Sequence, residues 1–301
     1  MMEYGYYPGC SLHGTAKEFD LSIKESFTSL GLGLKEVEDW NCCGASSAHE
    51  TSEELALALA VRILSQAEKA GQKTIVAPCA ACYSRLKMAN VEVAHDAGLR
   101  KRISHIIGQD YQGNVAVRHV TEIYKENKDR LAASVTKPLA GLKIASYYGC
   151  LLARPKAVVD WDDAENPTTM DELVTSLGAQ ALDWSHKTEC CGASFSISRG
   201  DIAVRLVGDI LGAAKLAGAD AIAVACPLCQ ANLDMRQSAA ERRNKTTYKL
   251  PIIYISQLIG LAQGKDAKAL GLDKHMVGAE KVLEKLSAAP IPHGEKKPVA
   301  V

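Results

Sequence analysis

The chain has 301 residues, 47% hydrophobic and 23% charged, with 35 basic and 35 acidic side chains and a formal net charge of zero. That profile suits a soluble protein of about two domains, with no overall field to draw nucleic acid or an anionic membrane surface. No apolar run reaches the roughly 18 residues of a membrane span and the N-terminus lacks a signal-peptide pattern, so a cytoplasmic location with reduced thiols is expected.

In chain order, Met2–Tyr7 is a short apolar-aromatic strand, with Tyr4, Tyr6 and Tyr7 as strand packing, and it leads into Cys10. An amphipathic helix over Lys17–Leu30 and a second strand over Leu34–Asp39 precede the pair Cys42-Cys43. Gly31-Leu32-Gly33 lacks the third glycine of a dinucleotide fingerprint. A helix over Ser52–Ala70 closes at Gly71, and a third strand, Lys73–Ala77, runs into Cys79-x-x-Cys82. A further helix follows near Tyr83–Asp96.

The same layout then recurs. Leu142–Tyr148 is a strand leading into Cys150, Thr168–Leu177 a helix, and Gln180–Trp184 a strand before Cys190-Cys191. The helix Asp201–Ala217 closes at Gly218, the strand Ala221–Ala225 enters Cys226-x-x-Cys229, and a helix covers Gln230–Arg243. All ten cysteines thus fall into two sets of five, offset by 140, 148, 148, 147 and 147 residues. Tyr7-Pro8-Gly9-Cys10 matches Tyr148-Gly149-Cys150, and Cys42-Cys43-Gly44-Ala45-Ser46 recurs as Cys190-Cys191-Gly192-Ala193-Ser194. His119-Val120-Thr121-Glu122 resembles Tyr254-Ile255-Ser256-Gln257. This is an internal duplication.

Strands alternating with helices predict an α/β fold of two pseudo-symmetric repeats, each a small parallel sheet flanked by helices. The expected division is 1–138, 139–263 and a C-terminal segment 264–301, with a helix over Asp273–Leu286 and a flexible tail from Ala288. In each repeat all five cysteines come just after the carboxyl ends of strands, the edge of an open sheet where ligands bind.

Five thiols at this spacing point to metal. A Cys-x-x-Cys turn suits a soft metal or a redox disulfide. Zinc takes four ligands, and adjacent cysteines diverge, so five exceed one zinc site. Zinc in one or both repeats stays an alternative. Compact cubane motifs of the C-x2-C-x2-C kind are absent from the chain. Gly44 and Gly192 are candidates for close backbone approach to a metal group, with plain turn glycines as the simpler alternative. His13 and His49 are candidate proton donors, and Arg154 is a candidate anchor for an anionic group. Each is otherwise an ordinary surface polar group. Lys101-Arg102 and Arg242-Arg243 are expected to be solvated helix faces.

The two C…CCG…CxxC units resemble the CCG cysteine-rich-domain family, and most specifically its heterodisulfide reductase B subunits, over residues 1–262. The resemblance implies tandem CCG domains with a non-cubane [4Fe-4S] cluster in each repeat. One cluster would be held by Cys10, Cys42, Cys43, Cys79 and Cys82, the other by Cys150, Cys190, Cys191, Cys226 and Cys229. It implies reduction of a disulfide, the coenzyme M–coenzyme B heterodisulfide or a related one, by two one-electron transfers. It also implies a ferredoxin-type C subunit, a flavin-bearing A subunit, electron bifurcation, and docking of a hydrogenase, a formate dehydrogenase or another oxidoreductase. Two departures stand: the second CC-to-CxxC gap of 34 residues is one shorter than the family spacing, and Cys-Pro-Leu-Cys replaces Cys-Ala-Ala-Cys. The alternatives are an electron-relay subunit of a 2-hydroxyacid or succinate oxidoreductase feeding quinone, a [4Fe-4S] cluster paired with one zinc, and a zinc-stabilised scaffold.

Overall fold

A computed structural model describes residues 2–45 and 47–288. The first repeat builds a four-stranded sheet from β1 (Met2–Tyr6), β2 (Leu32–Glu36), β3 (Thr74–Val76) and β4 (Ala116–Arg118). The second builds its own from β5 (Lys143–Tyr147), β6 (Gln180–Ala181), β7 (Ala221–Val224) and β8 (Ile252–Tyr254). Every pairing is parallel, and the strand orders are equivalent, β2-β1-β3-β4 and β6-β5-β7-β8. β7 and β8 are buried along their whole length, which is why they read as unbroken apolar runs.

The fourth strand of each repeat is a correction to the three expected from the sequence. β4 and β8 are three residues each, too short for an alternating pattern to show. The paired tetrapeptides noted above begin at their ends. His119 N–H donates to Glu122 Oε1 at 2.8 Å, and Tyr254 N–H donates to Gln257 Oε1 at 3.0 Å. Each is the reciprocal half of a capping box that starts a helix, Val120–Glu126 or Ile255–Ala262.

Helix boundaries follow local chemistry. Ser52 caps Glu53–Lys69 by accepting from Leu55 N–H, two glutamates fill the first turn, and Gly71 at φ 71° ends it. The second strand of the first repeat starts two residues earlier than expected, at Leu32. The helix expected over Gln230–Arg243 is two, Pro227–Met235 and Gln237–Asn244, broken at Arg236. The segment expected as a helix over Asp273–Leu286 is a 3-10 turn, Leu272–Lys274, and a helix, Glu280–Ala288. Leu270, Leu272, Val282 and Leu286 are buried, and Lys285 Nζ holds Asp220 at 2.7 Å, so this segment covers the second repeat. The expected tail beyond Ala288 lies outside the described residues, as does Ser46.

The repeats interlock through exchanged helix contacts. Lys17–Ser29 of the first packs on Ile255–Ala262 of the second, and Thr169–Ser176 of the second packs on Val120–Glu126 of the first. All eight residues of Ile255–Ala262 are buried, because the helix is apolar on the side facing each repeat. Phe19 stacks on Tyr254 with ring centroids 4.1 Å apart and planes 6° apart, and the hydroxyls of Ser22 and Ser256 meet at 2.7 Å. Phe19→Ala removes a wholly buried ring from this contact and is expected to cost about 3–5 kcal/mol. Urea unfolding followed by tryptophan fluorescence, with Trp40 in the first repeat and Trp161 and Trp184 in the second, should keep one transition; two separate transitions would show that the repeats fold independently.

Candidate metal centre

In the order β2-β1-β3-β4 the chain leaves β1 to one side and returns to the other, so β1 and β3 flank a switch point with a crevice at their carboxyl ends. Cys10 follows β1 and Cys79 follows β3, while Cys42 and Cys43 arrive on the loop after β2. Cys150, Cys226 and the pair Cys190–Cys191 repeat that placement around β5, β7 and β6.

The Cys-x-x-Cys segments are not free turns, as the sequence suggested. Cys79 and Cys226 are the N-cap residues of the helices Ala80–His95 and Pro227–Met235, with Cys82 and Cys229 in the first turns. Pro227 fits the first helical position, where no N–H is needed. The thiols therefore sit at the positive end of a helix, among backbone N–H groups without helical partners.

Adjacent cysteines diverge. Cys42 is exposed and lies against Cys10, whereas Cys43 is buried with its sulfur 3.2 Å from that of Cys82. In the second set Cys190 lies against Cys150, and the sulfurs of Cys191 and Cys229 are 3.8 Å apart. In the pairs Cys43–Cys82, Cys190–Cys150 and Cys191–Cys229 the thiols share a proton, so one is acidified at its partner's expense. The Cys82 contact pulls Cys43 down to about 7, and the Cys150 contact pulls Cys190 down to about 6. Cys82 and Cys150 are pushed up correspondingly. Burial raises Cys42, against the N–H of Gly44, which donates to its sulfur at 3.4 Å. Gly192 N–H donates to Cys190 in the same way at 3.3 Å.

Both glycines take left-handed backbone, φ 74° and 76°, and a Cβ would strike the helix that follows, 2.7 Å from Ala48 or 3.0 Å from Leu206. Gly9 and Gly149 are a second matched pair, where a Cβ would meet Cys82 Sγ at 3.3 Å and Cys229 Sγ at 3.0 Å. These contacts keep Cys10 aligned with Cys150 and correct the match of the tyrosine before them. Tyr7 corresponds to Tyr147, not to Tyr148. Tyr7 donates to the carbonyl of Asn41 at 2.9 Å and Tyr147 to that of Glu189 at 2.6 Å, in each case the residue before the double cysteine. Tyr7 is thus more than strand packing. Both tyrosines are buried beside their cysteine sets, and burial holds both phenols protonated. The sequence signal was present, as Tyr-x-Gly-Cys in both copies.

The two sets meet. Cys79 and Cys226 face each other across the junction of the repeats closely enough that each shifts the other's ionisation, and the nearby N–H of Ala80 favours the Cys226 thiolate. Contacts with Cys229 and Cys79 hold Cys226 well below the ordinary thiol range. Beside this junction lies a cavity of about 180 Å³, lined from the first repeat by Ala45, Ala80 and Ala81 and from the second chiefly by Cys150, Cys190, Cys226 and Cys229. Leu151 and Leu228 form an apolar, exposed part of its rim. Among the described residues no three His, Cys, Asp or Glu side chains converge as a single-ion site; the second-set thiols line the cavity and the first-set thiols do not. That donor set, all thiol with backbone N–H groups aimed at the sulfurs, suits a soft, multinuclear group.

Different devices hold the two sets. In the first, Arg62 bonds Asn41 Oδ1 at 3.0 Å and pairs with Asp39. In the second, the Lys187 carbonyl takes Tyr148 N–H and Gly149 N–H, while Lys187 Nζ is buried against Asp171 at 2.7 Å. His13 sits near the first set, paired with Glu36 at 3.1 Å and edge-on to Trp40. His49 pairs with Glu50 at 3.1 Å. Arg154 is engaged by Ala164 O, Glu165 and Thr188, and does not line the cavity. The basic pairs Lys101-Arg102 and Arg242-Arg243 are exposed on helices, as expected.

Comparison with known proteins gives a consistent picture. The CCG family model, described as a cysteine-rich domain, matches residues 4–87 and again 144–234. The chain is 32% identical over 283 residues to the 8-methylmenaquinol:fumarate reductase membrane anchor subunit of Wolinella succinogenes, covering 93% of this chain and 99% of that protein. It is 30% identical over 294 residues to the B subunit of the ferredoxin/F420H2-dependent CoB-CoM heterodisulfide reductase of Methanosarcina acetivorans, covering 95% and 97%. A crystal structure of a hypothetical protein from Helicobacter pylori shares the fold at TM-score 0.76 and 12% identity over 92% of this chain, which spans about half (52%) of that one.

Two outcomes follow from the geometry. In reduced, metal-free protein, Cys190 is exposed and acidified, so its alkylation should rise through a pKa of about 6 and level off above it. Unfolded, the same thiol should titrate near 8.5. Mass-spectrometric mapping of alkylation against pH checks this, and a folded value near 8.5 would refute the shared proton. Tyr147→Phe removes the hydrogen bond from the buried phenol to the part-buried Glu189 carbonyl and is expected to cost about 1 kcal/mol, measured by urea unfolding.

Proposed function

The chain belongs to the CCG cysteine-rich-domain family, among proteins of the heterodisulfide reductase B-subunit type, and from that membership we propose that it is the disulfide-reducing subunit of such a complex. The observation that carries the reading is the meeting of two equivalent five-thiol sets at Cys79 and Cys226 beside one cavity. The overall reaction is R–S–S–R′ + 2 e⁻ + 2 H⁺ → RSH + R′SH. Iron–sulfur clusters, when bound, supply electrons one at a time, so one [4Fe-4S] group in each set matches a bond that needs two.

The protein's own part is to bind, orient and shield. Cys10, Cys42, Cys43, Cys79 and Cys82 would hold one group and Cys150, Cys190, Cys191, Cys226 and Cys229 the other. Gly44 and Gly192 present N–H groups to the outer sulfurs and leave room for the following helix. The helix N-termini at Cys79 and Cys226 favour thiolate over thiol. Ala45, Ala80 and Ala81 keep the first repeat's side of the cavity small and apolar, so a disulfide would meet the second set's thiols directly, with the first set beyond that wall. His13, on the short helix that carries Cys10, is the proton donor we assign to the first set. Electrons come from partner subunits, a ferredoxin-type iron–sulfur protein and a flavoprotein, in the cytoplasm.

A second reading has its own support. The Wolinella relative, named for a menaquinol:fumarate reductase, is matched over nearly its whole length, and the cavity is largely apolar. In that reading the same sets relay electrons to or from a quinone. Among the described residues no helix is long and apolar enough to cross a membrane, so contact with a bilayer would run through partners or an exposed surface.

Anaerobically purified protein is expected to carry about eight irons and eight sulfides per chain, the count for two four-iron groups. Adding a disulfide to reduced protein should produce a paramagnetic signal that Cys82→Ala and Cys229→Ala each abolish. About four irons with one zinc would overturn the paired one-electron scheme. Full iron with a response to a menaquinone analogue and none to any disulfide would establish the relay reading instead.

A further inference from the structure

His119 is wholly buried at the end of β4, and the capping box does not use up its side chain. Its Nδ1 accepts from Thr121 N–H at 3.2 Å, which leaves the proton on Nε2. Nε2 is 2.7 Å from the carbonyl of Pro78, the residue before Cys79, and the carbonyl of Ala225, the residue before Cys226, also lies beside the ring. The imidazole therefore stands against both backbone segments that deliver the N-cap thiols. Tyr83 closes the ring in, edge-on at 5.6 Å. In the second repeat the corresponding residue, Tyr254, stacks on Phe19, and its buried hydroxyl has no hydrogen-bond partner among the described residues. The two halves are thus not equivalent at this point: one carries a donor to the junction and the other a spacer.

We infer that His119 is a positioning residue that clamps the Cys79 and Cys226 segments together, so that the inner thiols of the two sets are held at a fixed separation. This clamp extends the two-set reading above, in which the spacing of the sets decides whether one substrate can span them. Thiol geometry is what His119 controls, and it can be measured without iron.

Reduced, metal-free full-length protein is treated with dibromobimane, which bridges thiols that already lie together. Peptide mapping then gives the Cys79–Cys226 bridge relative to the Cys43–Cys82 bridge inside the first repeat. His119→Asn keeps a strong N-cap but is too short to reach Pro78; His119→Gln places an amide donor where Nε2 was. The bridge ratio is expected to fall about tenfold in His119→Asn, the equivalent of one lost hydrogen bond, and to stay within about threefold of the native ratio in His119→Gln. Should the Asn variant fail to fold, His119→Met, matching Gln in length without its donor, should show the same fall. A residue that only caps the helix predicts a native ratio in His119→Asn, and that result overturns the clamp, as does an equal fall in the donor and non-donor variants. In iron-loaded protein the disulfide-induced signal should change shape in His119→Asn and keep it in His119→Gln. Wild-type protein that holds no iron would defeat the proposed function while the bridge ratio still decided the clamp.

Discussion

Two helix N-termini meet where the repeats join, each with a thiol as its N-cap, and the rest of the structure is arranged around that meeting. A helix start leaves several N–H groups without partners and carries a partial positive charge. Sulfur, soft and readily ionised there, is a suitable acceptor. Two ionised sulfurs in contact would repel, however, so Cys79 and Cys226 share a proton, with Cys226 as the acidic member. The same thiols, if they held a multinuclear metal group, would be relieved of that conflict, because the metal would offset the charge of all of them at once. The same logic runs outward to Cys43 with Cys82 and to Cys190 with Cys150.

Holding this arrangement is a task for the interface between repeats rather than for either sheet. Each short sheet exposes a helix-covered flank that the other repeat completes, through Lys17–Ser29 on Ile255–Ala262 and Thr169–Ser176 on Val120–Glu126. The fourth strands matter because they launch the second helix of each of these contacts. Without β4 and β8 there is no capping box at His119 or Tyr254 and nothing to aim the helix across the junction. A duplicated unit of this kind therefore gains both a second site and a second wall for the first one.

Duplication has not kept the halves alike. Arg62 and Asp39 brace the double-cysteine loop of the first set, while a buried Lys187–Asp171 pair braces the second. A buried pair of that sort gives little net stability and strong geometric demand, which suits a turn that must present Gly149 and Cys150 in one orientation. The cavity is lined mainly by second-set cysteines and rimmed by Leu151 and Leu228, whereas His13 stands on the first side. The two repeats thus contribute unequally to the cavity, most of its wall coming from the second.

Much of this was legible in the chain. The duplication, the two sets of five cysteines, the parallel α/β class and the placement of every cysteine beyond a strand end all follow from spacing and periodicity, because those patterns are local and are written twice. Gly44 and Gly192 were marked by an identical context, and Tyr7 with Tyr147 could have been, by Tyr-x-Gly-Cys. What only the tertiary structure decided depends on residues far apart in sequence: that Cys79 and Cys226 are neighbours, that His119 reaches Pro78 beside Ala225, and that Arg154 is spent on Glu165 and Thr188 instead of the cavity. β4 and β8 escaped because three residues carry no period. The contacts at the junction escaped because they are set by how two finished units pack, and packing complementarity between distant helices leaves no signature in local sequence.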